Sequence, residues 1–168
     1  MKLFSDPTLQ PFTIASRIAK PSHRGDTFIG RTLSTNDTII AWQSFYKNPP
    51  PGSFKHEIIS ILKLGSGVSG HPDICHGGFV STLLDEVIGT AAEDIRPHDK
   101  STMTAYLKVD YKKPIPTPVV MMCRGWVEKM EGRKIYGKGT VEDGEGGIMA
   151  VGEALFIIIE KVMPKGNL

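Results

Sequence analysis

Cysteine is nearly absent from this chain: Cys75 and Cys123 are its only two among 168 residues, and they share no C-x-x-C spacing. A chain of this length does not depend on a disulfide framework, so a reducing compartment is the natural expectation. Long apolar runs are missing too. No stretch approaches the ~20 residues needed to cross a bilayer as a helix, and the opening MKLFSDPTLQPF places an acid and two prolines where a signal peptide would be apolar. An excess of one charge is also lacking. Twenty basic side chains stand against 18 acidic ones, giving +2, and the interspersed signs leave no nucleic-acid track. The expectation is a soluble cytoplasmic protein. Arg17, Lys20, Arg24 and Arg31 keep a mitochondrial presequence as the alternative, although Pro11, Pro21 and Gly25 interrupt any amphipathic helix there.

What is present is enough apolar side chain, 40% of the residues, to fill one core. Residues 1–53 read as an accessory segment, punctuated by Pro7, Pro11, Pro21, Gly25 and Pro49-Pro50-Pro51-Gly52. Within it, Ser34-Thr35-Asn36-Asp37 resembles a helix cap, which predicts a short helix over 38–46 with Ile39, Trp42 and Tyr46 on one side. Residues 54–168 form the main domain. A strand is expected over 54–64 and a loop over 65–75. A helix follows, because Phe79, Val80, Leu83, Leu84, Val87, Ile88, Ala91 and Ala92 recur at three- and four-residue spacing. Met103, Ala105, Leu107, Val109 and Tyr111 then alternate with polar neighbours as a strand with one buried face. Strands over 119–130, 133–141 and 148–160 are separated by Glu131-Gly132 and by a glycine-rich turn, and Gly125, Gly137, Gly139 and Gly152 inside them suit curvature or close backbone approach. The fold class is therefore α+β, a curved antiparallel sheet wrapped around one apolar helix.

The stretch His71-Pro72-Asp73-Ile74-Cys75-His76-Gly77-Gly78 runs straight into that helix. Amide N–H groups at a helix start have no intrahelical partner, and the helix dipole favours negative charge there, so this junction suits an oxyanion. Asp85 lies about 140° around the helix from the centre of its apolar face. Ser81 and Gly89, four residues to either side, leave room over its carboxylate for a ligand. The eight residues from Gly77 to Asp85 span ~12 Å of helix, so one carbonyl cannot touch both. Two antiparallel copies related by a two-fold axis would bring Gly77 of one beside Asp85 of the other, which implies a homodimer or a dimer of dimers.

The pattern His76-Gly77-Gly78, six residues, Asp85, with Met103-Thr104-Ala105 and Tyr111-Lys112-Lys113-Pro114, resembles the hotdog-fold thioesterases of the phenylacetate-pathway (PaaI-type) branch. Gly70-His71-Pro72, Glu131-Gly132-Arg133-Lys134 and the closing strand are similar to mammalian acyl-CoA thioesterase members, and the likeness spans about residues 54–159. The resemblance implies hydrolysis of an acyl-CoA thioester to free acid and coenzyme A, without cofactor or metal. It implies the Gly77 N–H as oxyanion donor, Asp85 as nucleophile or general base, and Thr104 as the group that orients water or the carboxylate. Several relatives place an Asn before the HGG. Here Ser69, Gly70 and His71 occupy that region, leaving His71 and His76 as alternative replacements.

Gly78, His71 and Ser81 stand with the substrate side of this site. Lys112, Lys113, Arg133 and Lys134 are surface charges at strand ends or partners of the coenzyme A phosphates. Glu86 is read as structural or interfacial. A Cys75–His76 nucleophile is disfavoured because adjacent side chains diverge, and His71, Cys75 and His76 lack a fourth metal ligand. Trp42, Phe45 and Tyr46 are read as packing over the core, with an acyl lid as the alternative. Two other functions compete with hydrolysis: a non-catalytic acyl-CoA binding module, and an enoyl-CoA hydratase.

Overall fold

The computed structural model describes residues 6–18, 25–48 and 57–161. Nine strands and one long helix make up its regular structure: β1 Leu9–Phe12, β2 Ile39–Lys47, β3 Glu57–Leu64, β4 Ser69–His71, β5 Ile74–Cys75, α1 Gly77–Ile95, β6 Lys100–Tyr111, β7 Val119–Glu131, β8 Lys134–Glu142 and β9 Ile148–Glu160. Seven strands form an antiparallel sheet in the order β1-β2-β3-β7-β8-β9-β6, and β4 pairs with β5 in a small hairpin before the helix. The sheet curls around α1. This is the hotdog arrangement expected from the sequence.

The predicted apolar face of α1 is the core. Leu83, Leu84, Val87, Ile88, Ala91 and Ala92 are fully buried among Ile58, Leu62, Cys123, Ile135, Val141 and Phe156 of the sheet. Missing side chains explain how closely the two layers approach. A Cβ on Gly125 would lie 2.4 Å from the Val87 carbonyl oxygen, and one on Gly137 would lie 2.3 Å from Ile88 Cγ2. Both contacts are far below van der Waals distance, so β7 and β8 press on the helix only because these positions are glycine.

The helix expected over 38–46 is instead the strand β2. The polar run before it makes a turn rather than a cap: Thr35 Oγ1 accepts the N–H groups of Asp37 and Thr38, and the Thr38 hydroxyl donates to the Leu33 carbonyl. Local side-chain bonding of this kind competes with helix initiation. Beyond the turn, Ile39 to Lys47 pair with Leu64 to Glu57 of β3, and the hydroxyls of Ser44 and Ser60 meet at 2.8 Å in the interior. Sheet pairing outweighs a weak helical pattern there. The Pro49–Gly52 run and the boundary at 53/54 lie outside the described residues, as do residues 54–56 of the first predicted strand.

Two further differences shape the site. The loop expected over 65–75 contains the β4–β5 hairpin, turned at Asp73 with φ 56°. In β6 the pairing with β9 slips between Thr104 and Tyr106. That bulge reverses the alternation. Thr102 and Thr104 therefore face α1 before it, and Leu107 and Val109 pack on the core after it, while Met103 and Tyr106 are exposed and Tyr111, also exposed, reaches the start of α1 through its hydroxyl.

Candidate active site

The curled sheet does not close over α1. Between its first and last strands the polar stripe of the helix floors a cleft of about 900 Å³, walled on one side by Phe12 and Tyr46 and on the other by Thr102 and Thr104. Asp85 lies in this floor. Thr104 reaches down from β6 and its hydroxyl donates to Asp85 Oδ1 at 3.0 Å, which fixes one carboxylate oxygen. Burial pushes the Asp85 carboxyl up from the ordinary value, and the Thr104 hydrogen bond opposes that rise.

Glu86 shares the cleft but is engaged differently. The Ser16 hydroxyl donates to Glu86 Oε2 at 2.6 Å, tying the N-terminal segment to the helix. Burial is the main cause raising the Glu86 carboxyl; the Ser16 bond lowers it, and the charges of Asp85 and Asp26 raise it further. The Asp85 carboxylate beside it thus adds to the burial that disfavours ionisation of Glu86. The structural role read for Glu86 from sequence matches this contact.

Gly77 opens on a different depression. It borders a cleft of about 300 Å³ with Ile74, Tyr111, Lys112 and Lys113. His76 caps the helix: its Nδ1 accepts the Gly78 N–H at 2.9 Å. The cap consumes the Gly78 amide, and no acceptor among the described residues takes the Gly77 amide. His76 is itself clamped, since a Cβ on Gly70 would lie 2.8 Å from His76 Cδ2. The Tyr111 hydroxyl donates to the Gly77 carbonyl at 2.9 Å and meets Ser81 Oγ at 2.7 Å. These contacts fix the first helical turn.

The remaining predicted residues separate. His71 is exposed on β4. The Lys112 and Lys113 amides both donate to the Met149 carbonyl near the start of β9, whereas Arg133 and Lys134 flank the turn that meets Ile157 and Ile158 near its end. Within one chain the two basic pairs stand at opposite ends of a strand. Cys75 is buried and its thiol is pushed up to about 11 by that burial, which removes the thiolate a nucleophile would need. Among the described residues no group of three or more His, Cys, Asp or Glu side chains gathers as a metal cluster, and no helix is long and apolar enough to cross a membrane.

Three participants escaped the sequence reading. Tyr111 stood inside a recognised motif, but its hydroxyl contact depends on the β6 bulge. Phe12 and Ser16 reach the site from about 70 residues away, and no local pattern announces such a contact. Trp42 and Tyr46 pack on the main core as expected, but Tyr46 also lines the cleft.

Comparison with known proteins places this geometry in context. Residues 73–150 match the family model of the Thioesterase superfamily. The acyl-coenzyme A thioesterase THEM4 of Mus musculus is 33% identical over 107 residues, covering 63% of this chain and 45% of that protein. The chain thus spans under half the length of this relative. Among solved structures, the BH2602 protein of Bacillus halodurans with CoA aligns with a TM-score of 0.56 and 25% identity over 60% of this chain and 66% of its own. The putative thioesterase yhdA of Lactococcus lactis aligns with a TM-score of 0.63 at 14% identity, over 73% of this chain and 94% of its own, a likeness of fold.

Proposed function

We propose, from the premise that residues 73–150 are thioesterase-superfamily sequence, that this chain hydrolyses an acyl-CoA thioester to a free acid and coenzyme A. The observation that carries the reading is the Asp85 carboxylate, held by Thr104 at 3.0 Å in the floor of an open cleft, on the same helix whose first amide belongs to Gly77. A thioester carbonyl gains negative charge as it is attacked, and a preorganised N–H stabilises that charge. Asp85 either takes a proton from water as the water adds to the carbonyl, or attacks the carbonyl itself. On either route the C–S bond breaks and coenzyme A leaves as a thiolate that takes up a proton; on the second, water then opens the mixed anhydride to release the acid and free Asp85. Thr104 orients the carboxylate on either route.

The active unit in this reading is a homodimer. Gly77 and Asp85 face separate clefts of one chain, so a complete site needs Gly77 from one subunit and Asp85 from the other. Strand β6 supports this, since it ends the sheet and its exposed Met103 and Tyr106 border an edge without a neighbouring strand among the described residues. Pairing β6 with its copy about a two-fold axis sets the two helices antiparallel. It also brings the Lys112–Lys113 end of one subunit toward the Arg133–Lys134 end of the other, where both pairs are available to the coenzyme A phosphates. A dimer of dimers is compatible with this unit. Residues 54–168 carry the catalytic groups in this reading, and the described part of residues 1–53 adds β1 and β2 to the same sheet and borders the cleft through Phe12, Ser16 and Tyr46. Two buried free thiols suit a reducing compartment such as the cytoplasm.

Release of coenzyme A from short, medium, long-chain and aryl thioesters tests the reading. Wild-type protein is expected to liberate thiol and Asp85→Asn to lose about 10²- to 10⁴-fold in kcat, the range for a positioned acid–base group. Tight binding without turnover would make the protein a binding module instead.

A further inference from the structure

The cleft over Asp85 has a wall that the sheet and helix alone do not supply. Residues 12–18 leave the end of β1 and cross the open side of the curled sheet, with Ile14 buried and Ser16 bonded to Glu86 at 2.6 Å. The Phe12 and Tyr46 rings stack at 3.8 Å and 20° and line the same cleft as Asp85. Stacked rings at this spacing form one rigid apolar surface.

The linings of the two clefts separate the parts of a thioester. Lys112 and Lys113 border the depression beside Gly77, which suits phosphates. Asp26, Glu86, Glu93 and Asp94 line the cleft over Asp85, and its Arg96 is ion-paired with Glu93 and donates to the Pro97 carbonyl. His98 completes the polar rim. Of the two clefts, the one over Asp85 carries the stacked apolar rings of Phe12 and Tyr46, so the acyl group is the part of a thioester that fits it.

We propose that residues 12–18 form the far wall of the acyl pocket, that Phe12 and Tyr46 set the acyl-chain length accepted, and that the Ser16–Glu86 hydrogen bond holds this wall in place. Phe12 and Tyr46 are specificity-determining groups, while Ser16 and Glu86 are positioning residues. This assignment rests on the hydrolase reading for the identity of the ligand. The experiment therefore measures binding and turnover separately.

Two straight-chain series are compared in wild type, Phe12→Ala, Phe12→Trp, Ser16→Ala and Ser16→Thr: hydrolysis of acyl-CoA thioesters, and calorimetric binding of S-alkyl-CoA thioethers, which cannot be hydrolysed. Each methylene newly buried against the wall is worth roughly fourfold in affinity. Phe12→Ala should move the preferred length upward and Phe12→Trp downward, a reversal that a merely unfolded wall would not give. Ser16→Ala should flatten the length preference and Ser16→Thr, which keeps a hydroxyl, should restore it. Shifted binding without turnover upholds the wall and overturns the hydrolase reading. Turnover with one length profile in all five proteins overturns the wall and leaves the hydrolase reading standing. Neither binding nor turnover overturns both.

Discussion

Gly77→Pro isolates the oxyanion amide with little disturbance of the fold. Gly77 is the first residue of α1, where a missing N–H removes no intrahelical bond and proline's fixed φ suits the helix. The residue before a proline must be extended, and His76 already is, at φ −64° and ψ 131°. A Cβ at Gly77 meets the Tyr111 ring at 3.5 Å, an ordinary contact. The substitution therefore replaces the amide N–H with the Cδ of the proline ring and should leave stability unchanged or raise it by about 0.4–1 kcal/mol through a stiffer unfolded chain. Removing one oxyanion donor costs about 2.7–4 kcal/mol of transition-state stabilisation, or 10²- to 10³-fold in kcat. Steady-state coenzyme A release, with thermal melting as the folding control, reads both quantities. Gly77→Ala keeps the amide and should lose far less. Wild-type kcat in a folded Gly77→Pro protein would refute the oxyanion assignment.

Thr104→Ala removes the 3.0 Å hydrogen bond to Asp85 and should lower kcat more than it raises KM, because the bond orients the carboxylate during reaction; an effect confined to KM would make Thr104 a substrate contact. Burial raises the Asp85 carboxyl above the ordinary 3.8, so the folded state binds more protons than the unfolded state and stability falls as pH rises through the interval above 3.8. Asp85→Asn should consequently melt at or above the wild-type temperature at neutral pH and lose this advantage in acid, while the acid limb of wild-type kcat/KM is displaced upward from that of an unperturbed aspartate. A lower melting temperature for Asp85→Asn at pH 7 would contradict that sign. Cys75→Ala should keep kcat near the wild-type value, since a thiol near 11 is protonated at neutral pH; inactivation of the folded variant would reopen the thiol route.

The sequence was most legible where one physical pattern acted alone. The apolar spacing from Phe79 to Ala92 identified α1 and its buried face, and the same geometry put Asp85 on the opposite stripe. The later strands and the Glu131-Gly132 turn followed from alternation and glycine, with Gly132 at φ 58°. Reading failed where distant contacts competed with local preference. The Thr35–Thr38 turn imitates a cap in composition, and only pairing with β3 converts the following residues to a strand. The β6 bulge is invisible in an alternating sequence, although it turns Thr104 toward Asp85 and Tyr111 toward Gly77. The crossing of residues 12–18 over the cleft leaves no local trace at all.

The shared site is tested most directly by subunit exchange. Gly77→Pro spoils the oxyanion end contributed by a chain and leaves that chain's own carboxylate intact, whereas Asp85→Asn does the converse. Each protein alone should be nearly inactive. In a mixed dimer one of the two sites combines the Gly77 amide of the Asp85→Asn subunit with the Asp85 carboxylate of the Gly77→Pro subunit. Tagged hetero-dimers should therefore recover about half of the wild-type kcat per dimer, one intact site out of two. Folded, verified hetero-dimers that stay inactive, or a fully active monomer in sedimentation, would contradict it.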